Sequence, residues 1–370
     1  RIFTMSPIEL LLIMRLCALD FVAAYHASHE RFYSKVGIDA EGPEWTELLR
    51  WLTYLSHLGF DGDRKVFDGE SDAYMMTSNM QMYAKWIVHW MIRSKLDFLT
   101  WIIGDMTFHI SPDNLKFLMR INAYEMTHSV QIYQDNIHQK HRGNPSGGFF
   151  TTIINTDDNE CELRMSFNDN IRPYLIHLTN LRAAVIDTPG NNTIYRQAIL
   201  FQQRDLLAAT AYEKFVRDGV YGDDLVVFPA SCLHRYFNAL THQKYLLKFD
   251  RHFTPANKTD QISDKMVPIT EIQFLKRKFN KHPHFDRYYA PLSTDSIDEL
   301  FNWVRKSPDP VEACKQNCET ALRFSSHHSR DYYESTLNSL NAALDPASDG
   351  IDFFNNEFDT LENEWLAKFT

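Results

Sequence analysis

Two adjacent carboxylates in Tyr221-Gly222-Asp223-Asp224 sit between apolar runs, and no other stretch constrains the fold of this chain as much. Val216 and Val220 precede them, and Leu225, Val226, Val227 and Phe228 follow. β-Branched and aromatic runs on either side of a glycine turn predict a β-hairpin. Its tip would hold both acids, where hard divalent cations find oxygen ligands. A solitary Asp-Asp pair is more often a solvated turn, and Asp157-Asp158 is expected to be of that ordinary kind. What accompanies the 221–224 turn therefore decides its meaning.

A chain of 370 residues can bury a sizeable core, or two or three subdomains. Hydrophobic content of 44% and aromatic content of 14% exclude a disordered polymer. The formal net charge of -10 gives no general support for nucleic-acid binding, so any groove for a polyanion must be a local basic surface. The five cysteines, at 17, 161, 232, 314 and 318, lack zinc-finger spacing and predict reduced thiols. Cys314 and Cys318 fall on one face of a helical pattern and are expected to pack there. The apolar run Leu10–Met14 is flanked by Glu9, Arg15 and Asp20 and is too short to span a bilayer. It predicts a buried amphipathic helix from about Pro7 to about His26, and no transmembrane segment is expected. Because the chain begins with Arg, it is expected to be an excised or processed segment of something longer.

Helical patterns dominate the first half, notably Trp45–Leu55 and Met75–Arg93, and a hairpin is expected over Ser129–Lys140. Thr188-Pro189-Gly190 is the clearest surface turn. From about Phe279 the pattern is almost purely helical. Ile297, Leu300, Phe301 and Val304 form one stripe after the capping candidates Ser293 and Thr294. Asp309-Pro310 opens the next helix, and Tyr333, Leu337, Leu340 and Leu344 form a further stripe. These are core faces of a helical C-terminal subdomain of about ninety residues.

Four further segments bear on the acidic turn. In Gly62–Asp68, Asp63 follows Phe60 at the end of a predicted strand and Asp68 lies five residues on. A third carboxylate beside Asp223 is what a site for two cations about 3.5–4 Å apart needs. Asp61 is a rival ligand, with less suitable spacing to Asp68. In Gly143–Asn155, a Pro/Gly loop leads into an apolar segment readable as a helix, on which Gly147, Thr151 and Asn155 share a face. That face offers hydroxyl and amide groups to a ribose, and the glycines let backbone approach a substrate. In Thr254–Lys258, Lys258 is a protonated donor suited to departing pyrophosphate. In Phe274–Arg277, Lys276 and Arg277 could meet backbone phosphates. Each segment alone reads as an ordinary loop, helix cap or solvated charged face.

Taken in this order and at these spacings, the segments resemble the palm motifs of viral RNA-dependent RNA polymerases, in particular those of picorna-like positive-strand RNA viruses. The correspondence is motif A at Asp63–Asp68, motif B at Gly143–Asn155, motif C at Tyr221–Asp224, motif D ending at Lys258 and motif E at Phe274–Arg277. The resemblance implies an α+β right hand of fingers, palm and thumb, with an antiparallel palm sheet backed by helices and a helical thumb. Residues 1–55 would be partial fingers and their connection, 56–280 the palm with a fingers insertion near 96–142, and 281–370 the thumb. It further implies that Asp63, Asp223 and, less directly, Asp224 serve two Mg2+ ions, for which Mn2+ can substitute. Asp68, Ser146 and Asn155 would sense the ribose 2′-hydroxyl with Thr151 in support and Gly147 in the adjoining loop. Tyr221, Lys276 and Arg277 would contact RNA. Arg1-Ile2 resembles the end of the basic fingers motif that holds the triphosphate, so the lysines and most of the fingers before it would be missing.

The implied activity is template-directed transfer of nucleotides from NTPs onto an RNA 3′-end. The implied partners are template and product RNA, NTPs, a protein primer and other viral replication proteins, at membrane-associated complexes in the host cytoplasm. Two alternatives stand beside it. One is a catalytically incomplete RNA-binding fragment. The other is a reverse transcriptase, which also carries a Tyr-x-Asp-Asp turn; Asp68 argues against it, because those enzymes generally place an aromatic gate at the ribose position.

Overall fold

The computed structural model describes residues 7–64, 67–133, 136–144, 147–186, 199–200, 202, 204–207, 211–258, 261–304, 306–348, 354 and 357–369. Arg1, Ser146 and the expected turn at Thr188-Pro189-Gly190 lie outside the described residues, as does the side chain of Asp68.

The leading helix is present. α1, Ile8–His26, turns Met14, Cys17, Phe21 and Tyr25 inward at helical spacing and leaves Ile8, Leu12 and Leu19 exposed. α2, Pro43–Leu52, starts with proline at its first turn, where a missing N–H costs nothing, and buries Trp45, Leu48, Leu49 and Leu52. Strand β1, Leu58–Arg64, leads to the short α3, Phe67–Glu70. α4, Ala73–Arg93, is capped by Asp72, whose carboxylate accepts from the N–H groups of Tyr74 and Met75. A hairpin of β2, Leu99–Ile103, and β3, Met106–Ile110, precedes α5, Pro112–Thr127. The hairpin expected over Ser129–Lys140 follows as β4, Val130–Tyr133, and β5, Asn136–Gln139. α6, Thr151–Asn170, and α7, Arg172–Ile186, complete this half. α1, α4, α5 and the start of α6 share one apolar core, which includes Phe21, Met80, Tyr83, Ile87, Leu115 and Phe150. No helix among the described residues is long and apolar enough to cross a membrane.

After α8, Ala211–Phe215, come β6, Val216–Tyr221, and β7, Asp224–Pro229. α9, Ala239–Leu247, opens with a reciprocal capping box between Asn238 and Thr241. The short strands β8, Phe253–Thr254, and β9, Val267–Pro268, follow. The central sheet runs β6-β7-β1-β8, antiparallel throughout, with β9 pairing the opposite end of β1. Both faces of β7 are covered, which is why its sequence is a continuous apolar run rather than an alternation. Leu225 and Val227 pack with Phe60 against Leu163 and Phe167 of α6 and Leu246 of α9. Val226 and Phe228 pack on the other face against α2 and Ile272, Phe274 and Phe279. Gly62 is required by close approach: a Cβ there would lie 2.0 Å from the ring of Phe253.

Strands β10, Asn280–Lys281, and β11, Tyr288–Tyr289, pair before the C-terminal helices, so the region after Phe279 is less purely helical than its pattern suggested. The helices are α10, Thr294–Asn302, α11, Pro310–Ser326, α12, Arg330–Ser348, and α13, Phe358–Ala367. Asp309 caps α11 as expected, through the N–H groups of Val311 and Glu312. Val304 departs from its stripe because α10 ends at Asn302, and it is exposed. Cys318 is buried with Leu322, Tyr333 and Phe354, whereas Cys314 is exposed.

The Asp157-Asp158 pair is not a solvated turn. Both residues lie inside α6, 2% and 1% exposed. Asp157 Oδ1 accepts from the hydroxyls of Tyr25 (2.6 Å) and Tyr33 (2.7 Å), and Oδ2 accepts from Tyr83. Burial pushes the Asp157 carboxyl above its usual range, and the three hydroxyls pull against that shift. Asp158 accepts from Asn79 Nδ2 at 2.7 Å. Four partners from α1, α4 and the loop after α1 thus bond both oxygens of Asp157 and one of Asp158, two acids that sequence alone reads as surface.

Candidate active site

The β6–β7 register pairs Tyr221 with Asp224, leaving Gly222 and Asp223 as a two-residue loop. Gly222 has φ +62°, and nothing lies within 4 Å of where its Cβ would stand. Its requirement is therefore backbone conformation, not space. A positive φ at the first loop position alone matches the hairpin turns that favour glycine there. α6 grips the backbone of this turn. Gly222 N donates to Thr156 Oγ1 at 2.8 Å, and Asn159 Nδ2 donates to the carbonyls of Gly222 and Asp223, both at 3.2 Å. Arg64 N also donates to the Asp223 carbonyl, at 3.2 Å.

β1 supplies the partner acids. Asp63 is directly opposite Asp224 across the β1–β7 ladder, a like-charged cross-strand pair of the kind that repels. Strand alternation puts Asp61 and Asp63 on one face, with Asp224, and turns Phe60, Gly62 and Arg64 toward α6. Asp61 Oδ2 accepts from Gln273 N at 2.6 Å, so this rival ligand is committed to bracing the segment after β9. Lys258 Nζ lies 4.0 Å from Asp63 Oδ2, with its side chain 71% exposed. Its residue has φ +57° and closes a turn through Lys258 N to Pro255 O, 2.8 Å.

Burial, then the charges of Asp63 and Asp223, push the Asp224 carboxyl up to about 7, with Lys258 pulling against them. Among the described residues, the acids around Asp224 outnumber the one cation that acts on it, Lys258. An all-oxygen donor set with surplus negative charge fits a hard divalent cation such as Mg2+ or Mn2+. The carboxylates are not drawn into a tight cluster. Among the described residues, the three ligand atoms found within 4.8 Å of one another belong to His29, Glu30 and Glu44. His29 and Glu30 follow α1 and Glu44 lies in the first turn of α2, with His29 Nε2 2.9 Å from Glu44 Oε2.

Motif B is only partly as expected. Gly147 is in the loop at φ +92°, and α6 begins at Thr151, so Gly147 does not share a helical face with Thr151 and Asn155. The positive φ bends the chain before the helix and breaks the i, i+4 row there. Asn155 is 6% exposed, and its Oδ1 accepts from Asn144 Nδ2 at 2.8 Å. Asn144 Nδ2 also donates to Thr151 O at 3.1 Å, tying the loop to the first turn of α6.

The expected RNA contacts divide. Leu275 and Lys276, both at positive φ, form a tight turn closed by paired backbone bonds between Phe274 and Arg277 at 2.9 Å. Lys276 is exposed. Arg277 is held inward, donating to Ala290 O at 2.7 Å, lying 3.8 Å from Glu41 and stacking over Phe324. Tyr221 is half-buried between two of the apolar cores.

Beneath the acids lies a charge network that the sequence reading missed. Glu162 of α6 accepts from both Arg64 and Arg251. Arg64 also reaches Glu70 at 3.3 Å, and Arg251 lies against the Met75 sulfur at 3.8 Å. Burial, and then Arg251, lower the Arg64 guanidinium to about 10. Asn144, Thr156 and Asn159 were also missed. Asn159 alone carried a signal, since it continues the Thr151, Asn155 row by one more helical turn.

Residues 1–345 match a family model described as "Viral RNA-dependent RNA polymerase". The genome polyprotein of Rice tungro spherical virus (strain Vt6) is 27% identical over 346 residues, 93% of this chain and 9% of that polyprotein. The replicase polyprotein of Drosophila C virus (strain EB) is 27% identical over 338 residues, 90% of this chain and 17% of that polyprotein. A solved Sicinivirus 3Dpol RNA dependent RNA polymerase superposes with TM-score 0.68 at 17% identity, covering 98% of this chain and 62% of that one. The shared architecture is the α+β fold with an antiparallel sheet that the motifs implied.

Proposed function

We propose, on the premise that this chain belongs to the viral RNA-dependent RNA polymerase family, that it carries out template-directed transfer of nucleotides from NTPs onto an RNA 3′-end. The observation that carries this reading is the juxtaposition of the Asp223 turn with the cross-strand Asp63–Asp224 pair, where burial and then the neighbouring acids raise Asp224. Asp63 and Asp223 would ligate two Mg2+ ions, or Mn2+ in their place, and Asp224 would support them. When bound, such ions activate the attacking 3′-hydroxyl and stabilise the leaving pyrophosphate.

The chain's own groups supply the rest. Its acids are held on a turn and a strand fixed by backbone bonds, so the oxygen donors that would hold the cations are pre-positioned. Lys258, exposed and beside Asp63, donates a proton to the departing pyrophosphate. Asn155, oriented by Asn144, reads the ribose 2′-hydroxyl with Asp68 and Ser146, supported by Thr151, while Gly147 shapes the adjoining loop. Arg1 contacts the triphosphate. Tyr221 and Lys276 face RNA, and Arg277 joins them only on release from Ala290 and Glu41.

In this reading residues 1–55 belong to partial fingers, 56–280 to the palm with a fingers insertion near 96–142, and 281–370 to the thumb. Template and product RNA, NTPs, a protein primer and other viral replication proteins are the partners, at membrane-associated complexes in the host cytoplasm. The test is primer extension on an RNA template with Mg2+, using this chain and a version extended at its N-terminus. NTP incorporation that disappears in Asp223→Ala, with the fold retained, is the expected result. Failure of the extended protein to incorporate any NTP overturns the reading.

A further inference from the structure

We propose that Thr156 and Asn159 are positioning residues that couple the ribose-reading turn of α6 to the metal-holding turn between β6 and β7. The inference rests on the polymerase reading above and adds to it a mechanical link between sugar choice and cation binding.

Both side chains are fully buried, so their hydrogen bonds face no competition from water. Thr156 Oγ1 donates to Thr152 O at 2.8 Å and accepts from Gly222 N at 2.8 Å, which fixes its hydroxyl between the helix and the turn. Asn159 Nδ2 bridges two successive carbonyls, those of Gly222 and Asp223, at 3.2 Å each. The Asp223 carbonyl also accepts from Arg64 N of β1. Three elements therefore meet at one peptide group, the one that carries the Asp223 side chain.

Asn155 stands one residue before Thr156 and one helical turn before Asn159, about 6 Å along the axis. A helix does not bend over one turn without losing its own hydrogen bonds, so a shift at Asn155 reaches Gly222 and Asp223 through Thr156 and Asn159. A ribose that engages Asn155 settles the acids in place. A deoxyribose lacks the 2′-hydroxyl and leaves the turn without that support. Thr156 and Asn159 touch neither substrate nor reacting atoms and act through the backbone of the turn.

The test titrates Mn2+ alone into the purified chain by calorimetry, with Asp63→Asn defining the signal from the candidate site. Thr156→Val and Asn159→Ala are expected to weaken Asp63-dependent Mn2+ binding about 10- to 100-fold, the range found when outer groups that orient ligands are removed. Thr156→Ser, which keeps the hydroxyl, is expected to restore wild-type affinity. In primer extension with the N-terminally extended protein, both weakened variants should lower kcat with little change in NTP KM, and should narrow the preference for ribo- over deoxyribonucleotides.

A folded Asn159→Ala that binds Mn2+ like wild type and keeps its sugar preference overturns the proposal, and so does a Thr156→Ser as impaired as Thr156→Val. If Asn159→Ala does not fold, Asn159→Ser is titrated in its place against the same two outcomes. A wild-type chain with no Asp63-dependent Mn2+ binding sinks the polymerase reading together with this one. Intact wild-type binding and incorporation with unaffected variants sink this one alone.

Discussion

Glu162 is the position where one substitution should cost the most. Its carboxylate, 4% exposed, accepts from Arg64, 1% exposed, and from Arg251, 14% exposed. Glu162→Gln keeps the shape but removes the charge and leaves two guanidinium groups facing a neutral amide. Arg64 retains Glu70 at 3.3 Å, while Arg251 retains only the contact with the Met75 sulfur among its described side-chain partners. Breaking a buried ion pair by removing one partner costs about 3–5 kcal/mol, because the other charge stays desolvated. With a denaturant slope of about 3 kcal/mol per molar urea, the unfolding midpoint should fall by about 1–1.7 M.

Urea titration followed by tryptophan fluorescence measures that shift directly. The double variant Glu162→Met, Arg251→Met removes one guanidinium with the carboxylate, and should recover much of the loss because apolar replacement of buried pairs is often near neutral. A midpoint change in Glu162→Gln below about 0.3 M, equivalent to about 1 kcal/mol, would refute the reasoning by showing that water reaches the network.

Gly222→Ala should cost about 1–2 kcal/mol in the same assay, from the left-handed backbone alone, since no atom lies near the added Cβ; Gly222→Asn should cost less, and an equal cost for both would point to a clash instead. Tyr83→Phe removes one of three hydroxyls that offset the burial of Asp157, for a loss of about 1.5–3 kcal/mol at neutral pH. Burial already holds the Asp157 pKa in the folded chain above its unfolded value near 3.9, and losing a hydroxyl raises it further. Stability contributed by a group shifted that way is present at low pH and lost as pH rises through the folded value, so the deficit of Tyr83→Phe should grow from pH 4 toward neutrality. A deficit that shrinks over that range contradicts the assignment.

The parts of the site legible in the sequence are those set by local rules. The Tyr221–Asp224 hairpin needs only apolar runs and a glycine, and Asp309 ahead of Pro310 needs only a helix start. α6 shows where such rules stop. From Asn155 to Glu160 it is polar at every position, and every one of those side chains is buried. Periodicity equates polar with exposed, and that holds only when no partner is at hand. From Thr156 to Asn159 the long-range partners are Tyr25, Tyr33, Tyr83, Asn79 and the backbone of the 222–223 turn, all between 63 and 132 residues away, while Asn155 and Glu160 find Asn144 and Arg164 nearby. The inward packing of Arg277 was hidden in the same way, since its neighbours Glu41 and Phe324 come from distant segments.

The distribution of the described charges around the acids follows from the strand that carries them. Arg64 follows Asp63 directly, and in a loop it could have neutralised it. A strand sends successive side chains to opposite faces, so Arg64 turns to α6 and is balanced there by Glu162 and Glu70. Asp63 and Asp224 share the other face with Asp61, and among the described residues the exposed Lys258 lies 4.0 Å from Asp63. An exposed ammonium at that distance is screened by water and offsets little charge. Had the fold placed a buried arginine against Asp224, its carboxyl would sit below its ordinary value; instead it stands near 7. Antiparallel pairing thus does two things with one stretch of β1: it stores Arg64 where it stabilises α6, and it gathers Asp61 and Asp63 on the face that carries Asp224.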